Sequence, residues 1–248
     1  VVLCRHAESL LDIHCHGGDA AVERVLGQLA ARGCTIVEDR ELTERTEGPF
    51  AAELSDALSR ATTLRTADIL LELQSGTLRS AIEALFDMPA GNRRKDLETM
   101  LAWSQFGLRL ATPWSVVLFG RPNVGKSSLI NALVGYGRSI VYEEPGTTRD
   151  VVTAETALDG WPVCLSDTAG IRDEADAIES SGIERAQRRL ETADCRVLLL
   201  DTSRPPHPDD RRLLAAWPGA LVIAHKCDLP DVWGNALPPS AVPVSSVT

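Results

Sequence analysis

The spacing of apolar positions divides the chain into three stretches. In residues 1–40, Leu10-Leu11-Asp12-Ile13-His14-Cys15 reads as a short strand, Gly17-Gly18 as a turn and Asp19 as a helix N-cap. Val22, Val25, Leu26 and Leu29 recur at helical spacing, Gly33 closes that helix, and Cys34-Thr35-Ile36-Val37 returns as a strand. A small α/β segment is expected. Residues 41–112 form a helical region whose pattern runs from about Glu53 to Leu110. Leu54, Ala57, Leu58 and Ala61, then Leu64, Ala67, Ile69, Leu70 and Leu73, then Leu78, Ala81, Ile82, Leu85 and Phe86 mark amphipathic faces. Met88-Pro89-Ala90-Gly91-Asn92 breaks the run before it resumes at Leu97.

Ala111-Thr112-Pro113 opens the third stretch, residues 113–248. Apolar strands at 116–119, 151–158, 161–165, 197–200 and 221–224 alternate with helical patterns after Lys126, at 183–193 and at 209–216. Asp159-Gly160 reads as a hairpin turn. The fold class expected is α/β: a doubly wound sheet that carries its ligands at the carboxyl ends of its strands, preceded by the small α/β segment and the short helical region.

Composition narrows the function classes. A net charge of −10 over 248 residues argues against broad nonspecific binding to nucleic acid, so any RNA contact is local or carried by a partner. Arg79, Arg93, Arg94 and Lys95 read as a solvated face, with nucleic-acid contact as the alternative. Six cysteines without C-x-x-C spacing read as free thiols in a reducing cytosol. His14 and His16 share one face of a strand and Cys15 the other, which favours a structural turn over a metal site. No apolar run approaches the roughly 20 residues needed to span a bilayer, so a cytoplasmic protein without membrane contact is expected. The chain begins at Val1 without an initiator Met and stops at Thr248 straight after a strand, so a parent protein is expected to extend both ways.

The chemistry gathers on four strand ends. Gly120-Arg121-Pro122-Asn123-Val124-Gly125-Lys126-Ser127 is a G-x-x-x-x-G-K-S loop directly after Val116-Val117-Leu118-Phe119. Its glycines let the backbone curl around an anion at a helix N-terminus, Lys126 supplies charge to the β/γ-phosphates, and the Ser127 hydroxyl is a ligand for Mg²⁺. Asp167-Thr168-Ala169-Gly170 follows a strand, where Asp167 can hold Mg²⁺ through water and the Gly170 N–H can sense a γ-phosphate. Between them, Gly146-Thr147-Thr148-Arg149-Asp150 offers Thr147 and Thr148 to complete the metal shell. His225-Lys226-Cys227-Asp228 follows the strand ending at Ala224, and Asp228 can accept from the guanine N1–H and 2-amino group, which adenine cannot offer.

Together these residues resemble the translation-factor-related GTPases, and more closely the tRNA-modification GTPase family known as MnmE or TrmE. The nearer likeness rests on Gly120 through Ser128, on Gly146-Thr147-Thr148-Arg149-Asp150, and on Asp167-Thr168-Ala169-Gly170-Ile171-Arg172 continuing to Gly182-Ile183-Glu184-Arg185-Ala186. Leu11 to Gly18 and Glu41-Leu42-Thr43-Glu44-Arg45 look like that family's folate-binding region and its exit. The resemblance implies a P-loop GTPase domain binding GTP or GDP with Mg²⁺ through Ser127, Thr148 and Asp167. It also implies nucleotide contacts from Val124, Gly125, Ser128, Lys226, Ser245 and Ser246. Ile171 leaves no glutamine beside Gly170 to orient water; the family's glutamate for that role matches Glu179, and its K⁺ ligand in the phosphate loop matches Asn123. An exposed helix-start carboxylate and a turn residue are the plainer readings of Glu179 and Asn123.

The implied protein is a GTP-hydrolysing switch that pairs through its GTPase domains, stimulated by K⁺. It would assist wobble-uridine modification of tRNA beside a flavin-dependent partner and a folate. A ribosome-assembly or regulatory GTPase, and a nucleotide-binding interaction module with weak turnover, are the alternatives. Two departures stand out. His225 replaces the usual Asn of the guanine box, so a contact to purine N7 must come from an imidazole N–H or be lost, with Asp228 still selecting guanine. Ser245-Ser246 stands where the family has Ser-Ala, a backbone role that tolerates the change.

Overall fold

The computed structural model describes residues 1–8, 10–136, 153–168 and 179–247. The chain separates into two compact units, Val1–Asp56 and Ala57–Thr248. In the first, β1 (Val2–Ala7) pairs antiparallel with β2 (Leu10–His14). Helices α1 (Asp19–Ala30) and α2 (Asp39–Glu47) follow, and α3 (Pro49–Ser59) begins. Gly18, not Asp19, is the cap of α1: its carbonyl accepts the Ala21 and Val22 N–H groups, and Asp19 sits in the first turn, where its charge complements the helix dipole. Residues 34–38 form no strand. Their alternation lacks a pairing neighbour, since β1 and β2 pair only with each other, and Ile36 is left exposed.

The second unit continues with α4 (Leu64–Glu72), a π-helical turn at Leu73–Thr77, α5 (Leu78–Phe86) and α6 (Ala90–Leu108). Gly76 absorbs the kink with φ 109°. The 88–92 segment ends one helix and starts the next, as its Pro and Gly imply. Then come β3 (Trp114–Phe119), α7 (Lys126–Tyr136), β4 (Thr153–Leu158), β5 (Trp161–Asp167), α8 (Glu179–Thr192), β6 (Cys195–Asp201), α9 (Pro208–Ala216), β7 (Leu221–His225) and β8 (Val242–Val244). Among the described residues no helix is long and apolar enough to cross a membrane.

The sheet order is β4-β5-β3-β6-β7-β8, parallel throughout except for the antiparallel β4–β5 hairpin. Asp159 and Gly160 turn that hairpin with φ 49° and 76°, the positive pair a tight two-residue turn requires. From β3 the chain crosses to β5 on one side and then to β6 on the other. The order therefore reverses at the carboxyl ends of β3 and β6, where open sheets of this kind bind ligands.

Alternate residues build two cores. Leu118, Val197, Leu199 and Ile223 pack with Leu129 and Ile130 of α7 on one face. Val117, Phe119, Leu198, Leu200 and Val222 pack with Leu190 of α8 and with Trp233 on the other. Leu198, Leu199 and Leu200 are fully buried, so β6 reads in the sequence as an unbroken apolar run. The helical segment is fixed to the far end of the sheet from its carboxyl ends. Thr63 Oγ1 donates to Gly160 O at 2.7 Å, Arg65 Nη1 donates to Asp159 O and Oδ2 at 2.7 Å each, and the Arg65 guanidinium lies 4.4 Å over the Trp161 ring.

Candidate nucleotide site

The loop leaving β3 is shaped by three positive φ angles: Gly120 at 146°, Asn123 at 63° and Gly125 at 102°. A Cβ on Gly120 would lie 2.6 Å from the Leu199 carbonyl oxygen, so only glycine lets the loop turn this close to β6. Lys126 opens α7 at 5% exposure, with Nζ 3.3 Å from Gly120 O and 3.1 Å from Arg121 O. The ammonium thus sits inside the curl of the loop.

Asp167 is the last residue of β5, 2% exposed, and register pairs it with Leu118 one residue before the end of β3. Ser127 Oγ donates to Asp167 Oδ2 at 2.8 Å, and Lys126 Nζ lies 3.9 Å from Asp167 Oδ1. A hydroxyl and a carboxylate, both hard oxygen donors, meet beside a fixed cation. That set suits Mg²⁺, which takes one or two protein oxygens and completes its shell with water and phosphate.

At the ends of β7 and β8, Ser245 Oγ donates to Asp228 Oδ1 at 2.7 Å, a bond that holds the exposed Asp228 carboxyl below its ordinary range. Ser246 is half-buried beside it. Lys226, at φ 64°, donates from Nζ to Asn123 O at 3.3 Å and to Asp201 Oδ2 at 2.6 Å, so it links the loop after β7 to the loop after β3. Burial pushes the Asp201 carboxyl up, but hydrogen bonds from Lys226 and Ser203 outweigh it and leave the carboxyl below its ordinary value. His225 is buried at 2% exposure, and its Nδ1 lies 2.8 Å from Val124 O.

Gly120, Asn123, Val124, Gly125, Lys126, Ser127, Ser128, Asp167, Lys226, Asp228, Ser245 and Ser246 therefore all stand at the carboxyl ends of β3, β5, β7 and β8, in the loops leaving them or in the first turn of α7. Thr147, Thr148, Gly170 and the Glu179 side chain lie outside the described residues. Sequence reasoning missed Asp201. Its signal was available, because it too ends an apolar strand, but its partner Lys226 is 25 residues away along the chain.

Residues 115–225 match the family described as 50S ribosome-binding GTPase. The tRNA modification GTPase MnmE of Geobacillus kaustophilus is 36% identical over 260 residues, covering 90% of this chain and 56% of the relative. MnmE of Bacillus subtilis is 35% identical over 260 residues, with the same two shares. A crystal structure of an Aquifex aeolicus Era variant bound to GDP and aluminium fluoride aligns with 54% of this chain and 51% of its own, at 28% identity and a TM-score of 0.39. The chain spans about half the length of the curated relatives it matches. The matched residues run from β3 to β7 and include Lys126, Ser127 and Asp167. Along nine-tenths of its length, the chain is similar to the tRNA modification GTPases.

Proposed function

We propose that the chain binds guanine nucleotide with Mg²⁺ and hydrolyses GTP as a switch acting in tRNA wobble-uridine modification. The observation that carries this reading is the 2.8 Å contact from Ser127 Oγ to Asp167 Oδ2, with Lys126 held over the same loop. Ser127 and Asp167 would hold Mg²⁺, which would supply positive charge at the phosphates. The phosphate-loop N–H groups and Lys126 hold the phosphates in place, and Asp228, oriented by Ser245, accepts from the guanine edge.

The finer assignments follow the resemblance. Thr147 and Thr148 would complete the metal shell, with Thr148 as a ligand; Gly170 senses the γ-phosphate. Glu179 orients the attacking water through a second one. Asn123, which takes a left-handed turn in the loop, contributes to a K⁺ site between paired GTPase domains. The working protein is cytoplasmic and homodimeric, uses a folate at the amino-terminal unit, and acts on tRNA beside a flavin-dependent partner. The MnmE relatives support the tRNA assignment by their names.

The test is GTP and ATP turnover in K⁺ and in Na⁺ buffers. GTP-selective turnover that rises in K⁺ is expected. Equal use of ATP would remove the guanine reading, no turnover would reduce the chain to a binding module, and indifference to the cation would remove Asn123 as a K⁺ ligand. Glu179→Ala with undiminished turnover would remove the water-orienting role.

A further inference from the structure

His225 occupies the position from which a side chain could reach either the base or the phosphate loop. We propose that it is a positioning residue for the loop: its ring braces Val124 and Gly125 and gives the base no hydrogen-bond donor. The proposal rests on the guanine-nucleotide reading above.

The backbone of His225 is pinned first. Its carbonyl oxygen accepts from Thr202 N at 3.1 Å and from Thr202 Oγ1 at 3.0 Å, which ties the end of β7 to the end of β6. The side chain is then enclosed at 2% exposure. Nδ1 lies 2.8 Å from Val124 O, and a carbonyl oxygen only accepts, so Nδ1 carries the proton. The ring also fills the space where a side chain on the next residue would go. A Cβ on Gly125 would stand 2.4 Å from His225 Cε1 and 2.6 Å from Nδ1. One hydrogen bond and one close face therefore fix two consecutive residues of the phosphate loop from a strand 101 residues later in the chain.

The same proton decides what the ring offers a ligand. With hydrogen on Nδ1, a neutral ring presents Nε2 as a bare lone pair, and Nε2 is buried with no hydrogen-bond partner among the described residues. Purine N7 is also an acceptor, so the two atoms have no hydrogen to share. Choice of base then falls to Asp228, whose carboxylate Ser245 holds in place. His225 sets how well the loop is formed, and Asp228 sets which base enters.

The experiment uses GDP and ADP as probes on the whole chain, with His225→Leu and His225→Asn, together with ¹⁵N spectra of ring-labelled histidine. The leucine fills space without a donor, and the asparagine returns an N–H to the Val124 carbonyl. His225→Leu is expected to bind GDP about tenfold more weakly, the worth of one buried hydrogen bond and its stranded acceptor, with the ratio of GDP to ADP affinity unchanged. His225→Asn recovers most of the loss. The spectra are expected to show the proton on Nδ1 and a bare Nε2. A folded His225→Leu protein with a collapsed GDP to ADP ratio would overturn the proposal, as would a folded asparagine variant as weak as the leucine one, or a proton on Nε2. If His225→Leu does not fold, the asparagine variant and the tautomer decide. If the parent chain binds neither nucleotide, the guanine-nucleotide reading falls, and the tautomer still tests the brace.

Discussion

Replacing Gly120 with alanine sets a close backbone approach against a rigid obstacle. The new Cβ would stand 2.6 Å from Leu199 O, where ordinary contact begins at about 3.4 Å, and 3.3 Å from Val124 Cγ2. Leu199 is fully buried in the middle of β6, so its carbonyl cannot retreat as the end of a side chain could. Overpacking of this kind costs about 1–3 kcal/mol. The φ of 146° adds strain of about 1–3 kcal/mol, and lost freedom of the unfolded chain returns about 0.5–1 kcal/mol. The net is destabilisation of about 1–5.5 kcal/mol, or roughly 2–22 °C in melting temperature for a unit of this size. Gly135→Ala is the matched control: it lies in α7 with no atom within 4 Å of the added carbon, and should gain about 0.5–1 kcal/mol from helix propensity. Calorimetric melting of both variants without nucleotide checks the pair. A Gly120→Ala protein melting within a degree of the parent would refute the contact between the loop and β6.

Three further outcomes follow from the same geometry. Asp167→Asn removes the carboxylate charge facing Ser127, so the Mg²⁺ concentration for half-maximal GTP turnover should rise roughly tenfold or more; an unchanged Mg²⁺ profile would remove Asp167 from the metal site. The Asp201 carboxyl is lowered from 3.8 in the folded chain, so its contribution is complete above that value and lost as pH falls through the lower one. Lys226→Met should therefore flatten the acid limb of a stability–pH curve below about pH 4, measured by urea midpoints, and leave the curve's slope near neutrality alone. Burial raises the Cys164 and Cys195 thiols, with Glu155 adding at Cys164 and with Arg196 opposing and Asp194 adding at Cys195. Iodoacetamide at pH 8 should therefore label the exposed Cys34 and Cys227 before either, as peptide mapping would show.

The nucleotide half was legible because its strands are dry. Leu198 to Leu200 are buried on both sides of the sheet, and a run that must be apolar at every position is readable without knowing its neighbours. The glycines of the phosphate loop, Lys126, Ser127 and Asp167 were legible for a related reason: each ends or follows such a run. What escaped depended on partners distant in the chain. Residues 34–37 carry a strand's composition, but a strand also needs an edge to join, and a window of four residues contains none. Asp201 gains its meaning only from Lys226. His225 was legible as an anomaly, and its ring orientation was not, because Gly125 is the residue that makes room for it.

The β4–β5 hairpin has a mechanical consequence. Its register is locked by pairs from Thr153 with Ser166 to Leu158 with Trp161, and slipping by one residue would turn every side chain to the wrong face. It therefore behaves as a stiff rod. One end is Thr153, directly after the chain segment that carries the two threonines, beside the strand that ends in Asp167. The other is the turn gripped by Thr63 and Arg65. Six residues of strand thus join the carboxyl-end side of the sheet to the helical segment.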